Sequence, residues 1–187
     1  MISKACVCGR YQRKLEEIAR LGVDLTVVVP PAWRDERGTV PLERTHTEGY
    51  SLRVTPVVFN GSFHLHYYPR LKDIVDDVRP DIVHIDEEPY NLATLHAVRL
   101  ARRAGAAPLF FTWQNHLRRY PPPFCWWEAH VYGRVAYAIA GNQDALRVLR
   151  TKRYAGPARV IPQFGVDPTL YHCATAPTRG DFAIGYV

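Results

Sequence analysis

The chain is short of the residues that would staple or anchor it. Its 187 residues hold one methionine and four cysteines. Cys6 and Cys8 stand two apart, Cys125 and Cys173 stand alone, and no C-x-x-C pair occurs. Residues two apart on a strand share a face and make poor disulfide partners. No zinc-ligand spacing appears among the cysteines and eight histidines. The expectation is four reduced thiols, no bound metal and a cytoplasmic protein. No apolar run approaches the roughly eighteen residues of a membrane helix. The opening MISKACVCGR lacks the basic-then-apolar layout of a secretory signal. There is no G-x-G-x-x-G fingerprint, no repeat at a fixed period and no RNA- or DNA-binding motif. Nucleic acid is therefore not an expected partner.

What is present is an ordinary globular composition, 47% hydrophobic and 22% charged, which argues against wholesale disorder. The net charge of +6 and a pI near 9.3 invite an anionic partner. The charge is spread rather than blocked, with local clusters at Arg102–Arg103, Arg118–Arg119 and residues 147–153. Most of it reads as solvated surface.

Strand-like and helix-like segments alternate. Residues 2–8 read as a short first strand broken by Gly9. Tyr11, Leu15, Ile18 and Ala19 then share one helix face, and Gly22 stops that helix. Residues 25–29 form an apolar strand ended by Pro30–Pro31. Residues 32–49 read as a long polar loop. Residues 50–60 and 64–68 look like a hairpin turned at Asn60–Gly61. Helices follow at 69–78, 91–104, 124–134 and 143–153, and strands at 81–85, 108–112, 136–140 and 160–161. Short connections between alternating elements define a doubly wound parallel sheet. Residues 1–170 are expected to form this Rossmann-like domain. Residues 171–187 read as a linker ending in the apolar FAIGYV, a strand with no sheet to join.

The chain is organised around residues 79–91, RPDIVHIDEEPYN. A run of apolar, β-branched residues reads as a strand buried on both faces. It ends in three carboxylates, Asp86, Glu87 and Glu88. Ligands of open α/β sheets bind beyond the carboxyl ends of the strands. The plainer reading is that the acids solvate a loop and cap the next helix. Asp86, nearest the strand, is the one expected to have a structural partner. Glu87 and Glu88 are the candidates to face a ligand. Other strand ends add Gly9, then Gln114, Asn115 and His116, then Asn142. Carboxylates and amides suit the paired hydrogen bonds that hold sugar hydroxyls. Gly9 would let the backbone approach a ligand closely, or be a plain turn. The stretch LRRYPPPFCWW, residues 117–127, mixes arginines with aromatics. It suits a membrane interface, or aromatics packed into the domain.

Four segments together resemble the N-terminal domain of GT-B glycosyltransferases of the family 4 type. RVIPQFGVDPTLYH (159–172) is similar to the family's V-I-P-N-G-V-D segment, with Gln163–Phe164 where the family has a single Asn. PDIVHID (80–86), AYAIAGNQDALRVL (136–149) and FAIGYV (182–187) resemble three further family segments in the same order. The T-x-H histidine of many members is replaced by Thr112-Trp113-Gln114, with His116 two residues on, and the glycine-rich acceptor loop is reduced to Gly9. The resemblance implies a retaining transferase moving a sugar from a nucleotide sugar to a glycan or lipid-linked acceptor, without a cofactor. It implies that Gly9, Glu87, Glu88, Gln114, Asn115 and Asn142 line the acceptor face, with His116 as the catalytic candidate. It further implies that the donor-binding second domain lies beyond residue 187 or in a separate chain, so that residues 1–187 alone would be inactive. Two alternatives stay open: a non-catalytic truncated product or subunit that pairs with a separate donor domain, and a lone Rossmann-type nucleotide binder. A peripheral place at the anionic inner face of a membrane is a further expectation.

Overall fold

The structure is a computed structural model that describes residues 1–166. The parallel sheet contains β1 (Thr26–Val29), β4 (Ser51–Val54), β5 (Ile82–Ile85), β6 (Ala107–Thr112), β7 (Tyr137–Ala140) and β8 (Ala158–Val160). β1 pairs with β4 on one side, and β5-β6-β7-β8 run in order on the other. Ile2 joins the two halves through parallel bridges to Val28 and Ile85. Five helices alternate with these strands: α1 (Arg13–Arg20), α2 (Leu71–Val78), α3 (Leu92–Arg103), α4 (Phe124–Tyr132) and α5 (Gln143–Thr151). The Rossmann-like α/β expectation is met.

The local reasons are plain in the sequence. α3 buries seven of its twelve residues, among them Leu95, Val98 and Leu100, against the sheet. Each large apolar side chain so buried contributes about 1.5–3 kcal/mol. Asn142 caps α5, its Oδ1 accepting from the Ala145 N–H at 2.8 Å. α2 ends on Arg79, which takes the left-handed region at φ 48° where glycine is the usual choice. The larger core gathers Val28, Val83, Ile85, Phe110, Ala138 and Leu149 with the inner faces of α2, α3 and α5. A smaller one packs Leu15 of α1 on Leu25, Val27 and Val29.

Four sequence expectations are corrected. Residues 2–8 do not form a strand. Only Ile2 bridges its neighbours, and short 3-10 turns at Ala5–Val7 and Gly9–Gln12 take over. The loop at 32–49 contains an antiparallel hairpin, β2 (Ala32–Asp35) with β3 (Gly38–Pro41). The segments 50–60 and 64–68 are not one hairpin. Residues 51–54 leave to pair in parallel with β1, and a single antiparallel bridge, Val58 to Tyr67, remains near the Asn60–Gly61 turn. The organising strand β5 pairs with β6 on one side and meets only the Ile2 bridge on the other, and Ile82 at its start is 59% exposed, so it is not buried along its whole length. The linker at 171–187, with its FAIGYV end, lies wholly outside the described residues.

Candidate functional site

Beyond the carboxyl ends of β1, β5, β6 and β7 the polar groups fall into two sets. The first surrounds Asp86 and Glu87. Asp86 accepts from Ser3 Oγ at 2.8 Å, Lys14 Nζ at 3.1 Å and Gln163 Nε2 at 2.8 Å. Both its oxygens are therefore taken, by groups far away in the chain. Glu87 forms an ion pair with Lys4, whose backbone N–H also donates to it at 3.3 Å. The Lys4 ammonium lies over the rings of Trp33 and Phe63. His66 donates from Nδ1 to the Ser62 and Phe63 carbonyls, and its Nε2 faces Glu87 at 3.6 Å. Burial by itself would raise the Glu87 pKa. The Lys4 charge, with His66 acting in the same direction, overcomes that and holds it near 2.

The second set surrounds Glu88. Its two oxygens accept from Thr112 Oγ1 at 2.6 Å and from the Trp113 N–H at 2.8 Å. Burial of the carboxyl still wins over these bonds and raises its pKa to about 7. Glu88 therefore sits close to half-protonation at neutral pH. Gln114 accepts from Lys152 Nζ at 3.0 Å, and the same ammonium pairs with Glu128 at 2.7 Å. Lys152 also lies over Tyr120, whose ring packs on Tyr90 with centroids 4.1 Å apart. Asn142 donates from Nδ2 to Asn115 Oδ1 at 2.8 Å while its own Oδ1 caps α5. Trp113 lies directly on Gly141, where any Cβ would overlap the indole.

The structure thus brings Glu88, Gln114, Asn115 and Asn142 together around the β6 and β7 ends. His116 is exposed further along the same loop and makes none of these contacts. Glu87 shares the other set with Asp86, so the expected contrast between these two acids is not seen: both are held by structural cations. Gly9 is buried and its N–H donates to Glu43 Oε2 at 2.5 Å, with Thr45 packed where a Cβ would stand. The close approach that glycine permits there is used by the chain's own carboxylate.

Lys4, Lys14, Glu128 and Lys152 were not among the candidates from sequence. Lys152 reads locally as a basic residue at the end of a helix, and Glu128 as one acid in an aromatic helix. The signal that would have found them is the spatial pairing itself. Gln163 and Phe164, which replace the family's single Asn, both have partners. Gln163 holds Asp86, and Phe164 stacks on Tyr11 with centroids 4.2 Å apart. Among the described residues, no group of three His, Cys, Asp or Glu is arranged to hold a metal ion, and no helix is long and apolar enough to cross a membrane.

In an open parallel α/β sheet ligands bind beyond the carboxyl ends of the strands, which is where these acid and amide side chains stand. Residues 9–163 match the family described as the Glycosyl transferase 4-like domain, and the chain belongs to this glycosyltransferase family. None of the curated proteins matches it.

Proposed function

We propose that the chain is the acceptor-side half of a retaining glycosyltransferase that moves a sugar from a nucleotide sugar to a glycan or lipid-linked acceptor. The observation that carries this reading is Glu88. In a chain of this family, it is a carboxyl fixed from both sides and poised near neutrality, beside the amides of Gln114, Asn115 and Asn142. Such a group accepts a hydrogen bond from an acceptor hydroxyl when charged and donates one when neutral. His116 is exposed on the same loop and is the side chain assigned to the reacting hydroxyl. A retaining front-face transfer asks the protein mainly for positioning and electrostatics, so no residue here need be a nucleophile. The donor sugar nucleotide is a substrate bound by a second domain, in cis or in trans, and no cofactor or metal is invoked.

Residues 1–187 by themselves should bind acceptor and transfer nothing. The test is calorimetry of residues 1–187 against a panel of oligosaccharides and detergent-solubilised lipid-linked sugars, with UDP- and GDP-sugars run alongside. Acceptor binding weakened at least tenfold in Glu88→Ala, and weakened in His116→Ala, supports the reading. Tight nucleotide-sugar binding without acceptor binding favours a nucleotide-binding module instead. Transfer of labelled sugar by residues 1–187 alone would overturn the half-enzyme assignment.

The acceptor side also carries the features of a peripheral membrane surface. Leu117 is exposed next to Arg118 and Arg119 in the chain, and Trp126 is exposed in the helix that follows. Binding to anionic liposomes should fall with added salt and with Arg118→Ala/Arg119→Ala. Equal binding by the double variant would count against this surface.

A further inference from the structure

The β2–β3 hairpin and the Asn60–Gly61 turn take no part in the Glu88 site, and a cavity of about 650 Å³ lies between them. The hairpin follows β1 and the turn follows β4, so both stand at the same carboxyl edge of the sheet as Glu88. The two walls are fastened to each other. Asn60 Oδ1 accepts from the Arg34 N–H at 3.0 Å, and Asn60 Nδ2 donates to the Ala32 carbonyl at 3.0 Å. One side chain thus takes the place of a neighbouring strand on the edge of β2. Gly61, at φ 91°, lets the turn close on Arg34, whose Cβ would stand 3.3 Å from any Cβ added there. The cavity is therefore preformed, as ligand sites usually are.

Its aromatic lining is Trp33 and Phe63. Both rings are held from inside. The Lys4 ammonium lies 4.7 Å from the Phe63 centroid and 5.4 Å from that of Trp33, and its ion pair with Glu87 keeps it there. His66 packs on Trp33 with centroids 4.8 Å apart. Phe63 nevertheless remains 44% exposed. The polar lining is Arg34, Asp35, Glu36 and Arg37, two guanidiniums and two carboxylates in consecutive positions. None of the four forms an ion pair among the described residues, and Asp35 accepts only from the Arg37 N–H, at 2.8 Å. Their charges sum to zero, which gives a phosphate or a polyanion no advantage. They offer donors and acceptors side by side, and a sugar hydroxyl needs both.

Phe63 also begins a row of packed rings that leads to the Glu88 side. Phe63 meets His64 at 5.5 Å, His64 meets Tyr90 at 5.5 Å, and Tyr90 meets Tyr120 at 4.1 Å between centroids. The cavity and the Glu88 mouth are thus two ends of one aromatic run.

We propose that this cavity is a second sugar subsite, which takes one unit of a neutral oligosaccharide whose acceptor end lies at Glu88. Trp33 and Phe63 stack on the C–H face of that unit. The guanidiniums donate to its hydroxyls and the carboxylates accept from them. The acceptor is then a chain of several sugars rather than a single lipid-linked one. This inference rests on the acceptor reading of the Glu88 mouth and narrows it.

The test titrates the 187-residue protein with neutral glucose-, mannose- and galactose-based oligosaccharides of one to five units. Calorimetry gives the affinities, and NMR follows the Trp33 indole N–H, assigned with Trp33→Phe. The expected result is an affinity at least tenfold higher for the longest chain than for its monosaccharide. The long chain should move the Trp33 signal and the monosaccharide should not. Phe63→Ala should bring the long chain down to the monosaccharide's affinity, and Phe63→Tyr, which keeps the ring, should retain most of the difference. Equal affinity at all lengths overturns the second subsite and leaves the acceptor reading standing. A Trp33 signal that bound long chains do not move has the same effect, and it decides the matter even where Phe63→Ala does not fold. Tighter binding of a sulfated chain of equal length overturns the choice of a neutral sugar. Binding of no sugar at any length overturns the acceptor reading and this inference together.

Discussion

Glu87 and Glu88 are adjacent in sequence and opposite in state. Glu87 is held near 2 by Lys4, and Glu88 is raised to about 7 by burial without a cation on it. What separates them is where the lysines reach. Lys4 and Lys14 arrive from the chain's first turns and saturate the Asp86–Glu87 side. Lys152 arrives from the end of α5 and is taken by Glu128 and Gln114. One side of the strand mouth is therefore a structural clamp, and the other keeps a carboxyl whose charge can change near neutral pH.

The strongest way to break this contrast is to remove the clamp. Lys4→Ala leaves Glu87 buried and unpaired, and should cost about 3–5 kcal/mol in urea unfolding. A loss under about 1 kcal/mol would mean that Glu87 is solvated or otherwise paired.

The next effect lies in pH. A group whose folded pKa is raised above the unfolded value stabilises fully below the unfolded pKa and loses this as pH rises through the folded one. For Glu88 the window runs from about 4.5 to about 7. For Glu87 the sign reverses, its contribution being present above about 4.5 and lost as pH falls toward about 2. Unfolding midpoints of Glu88→Gln should be flatter than wild type between pH 5 and 8, by on the order of 2 kcal/mol. Parallel curves for the two proteins would remove the special state of Glu88.

Smaller still is Asn142→Ala, which removes a helix cap and the Asn115 contact together, for about 1 kcal/mol. Asn142→Asp should keep most of the cap and lose the bond from Nδ2 to Asn115, separating the two by thermal unfolding and acceptor binding. The smallest effect is expected at the exposed Arg53–Asp77 pair, where Arg53→Ala should change stability by less than about 1 kcal/mol. A larger loss there would show that charge pairs matter everywhere in this fold, and the contrast at Glu87 would lose its meaning.

Much of the fold was legible because the elements are locally consistent. β5, β6, β7 and all five helices fall where apolar periodicity, Gly22 and Gly105 place them. The hairpin at 32–41 was not, because Ala-Trp-Arg-Asp and Gly-Thr-Val-Pro carry no alternation and pair only with each other. The segment 2–8 misled because its apolar residues serve compact turns: Cys6 and Val7 are buried in a 3-10 turn rather than on a strand. At the site, the acids and amides were visible as strand-end residues. Their partners were not, since Lys4 meets Glu87 across 83 positions and Lys152 meets Gln114 across 38. Local pattern reports where a side chain starts, and long cationic side chains act where they end.

The seat of Trp113 on Gly141 has a further meaning for how this mouth could be tuned. The loop that carries Gln114, Asn115 and His116 is registered against the β7–α5 turn by a missing side chain. A single methyl group at position 141 would press on the indole, and through the same residue on the Trp113 N–H that Glu88 accepts. Volume at the β7–α5 turn is thus tied to the hydrogen bonding of the carboxyl across the mouth.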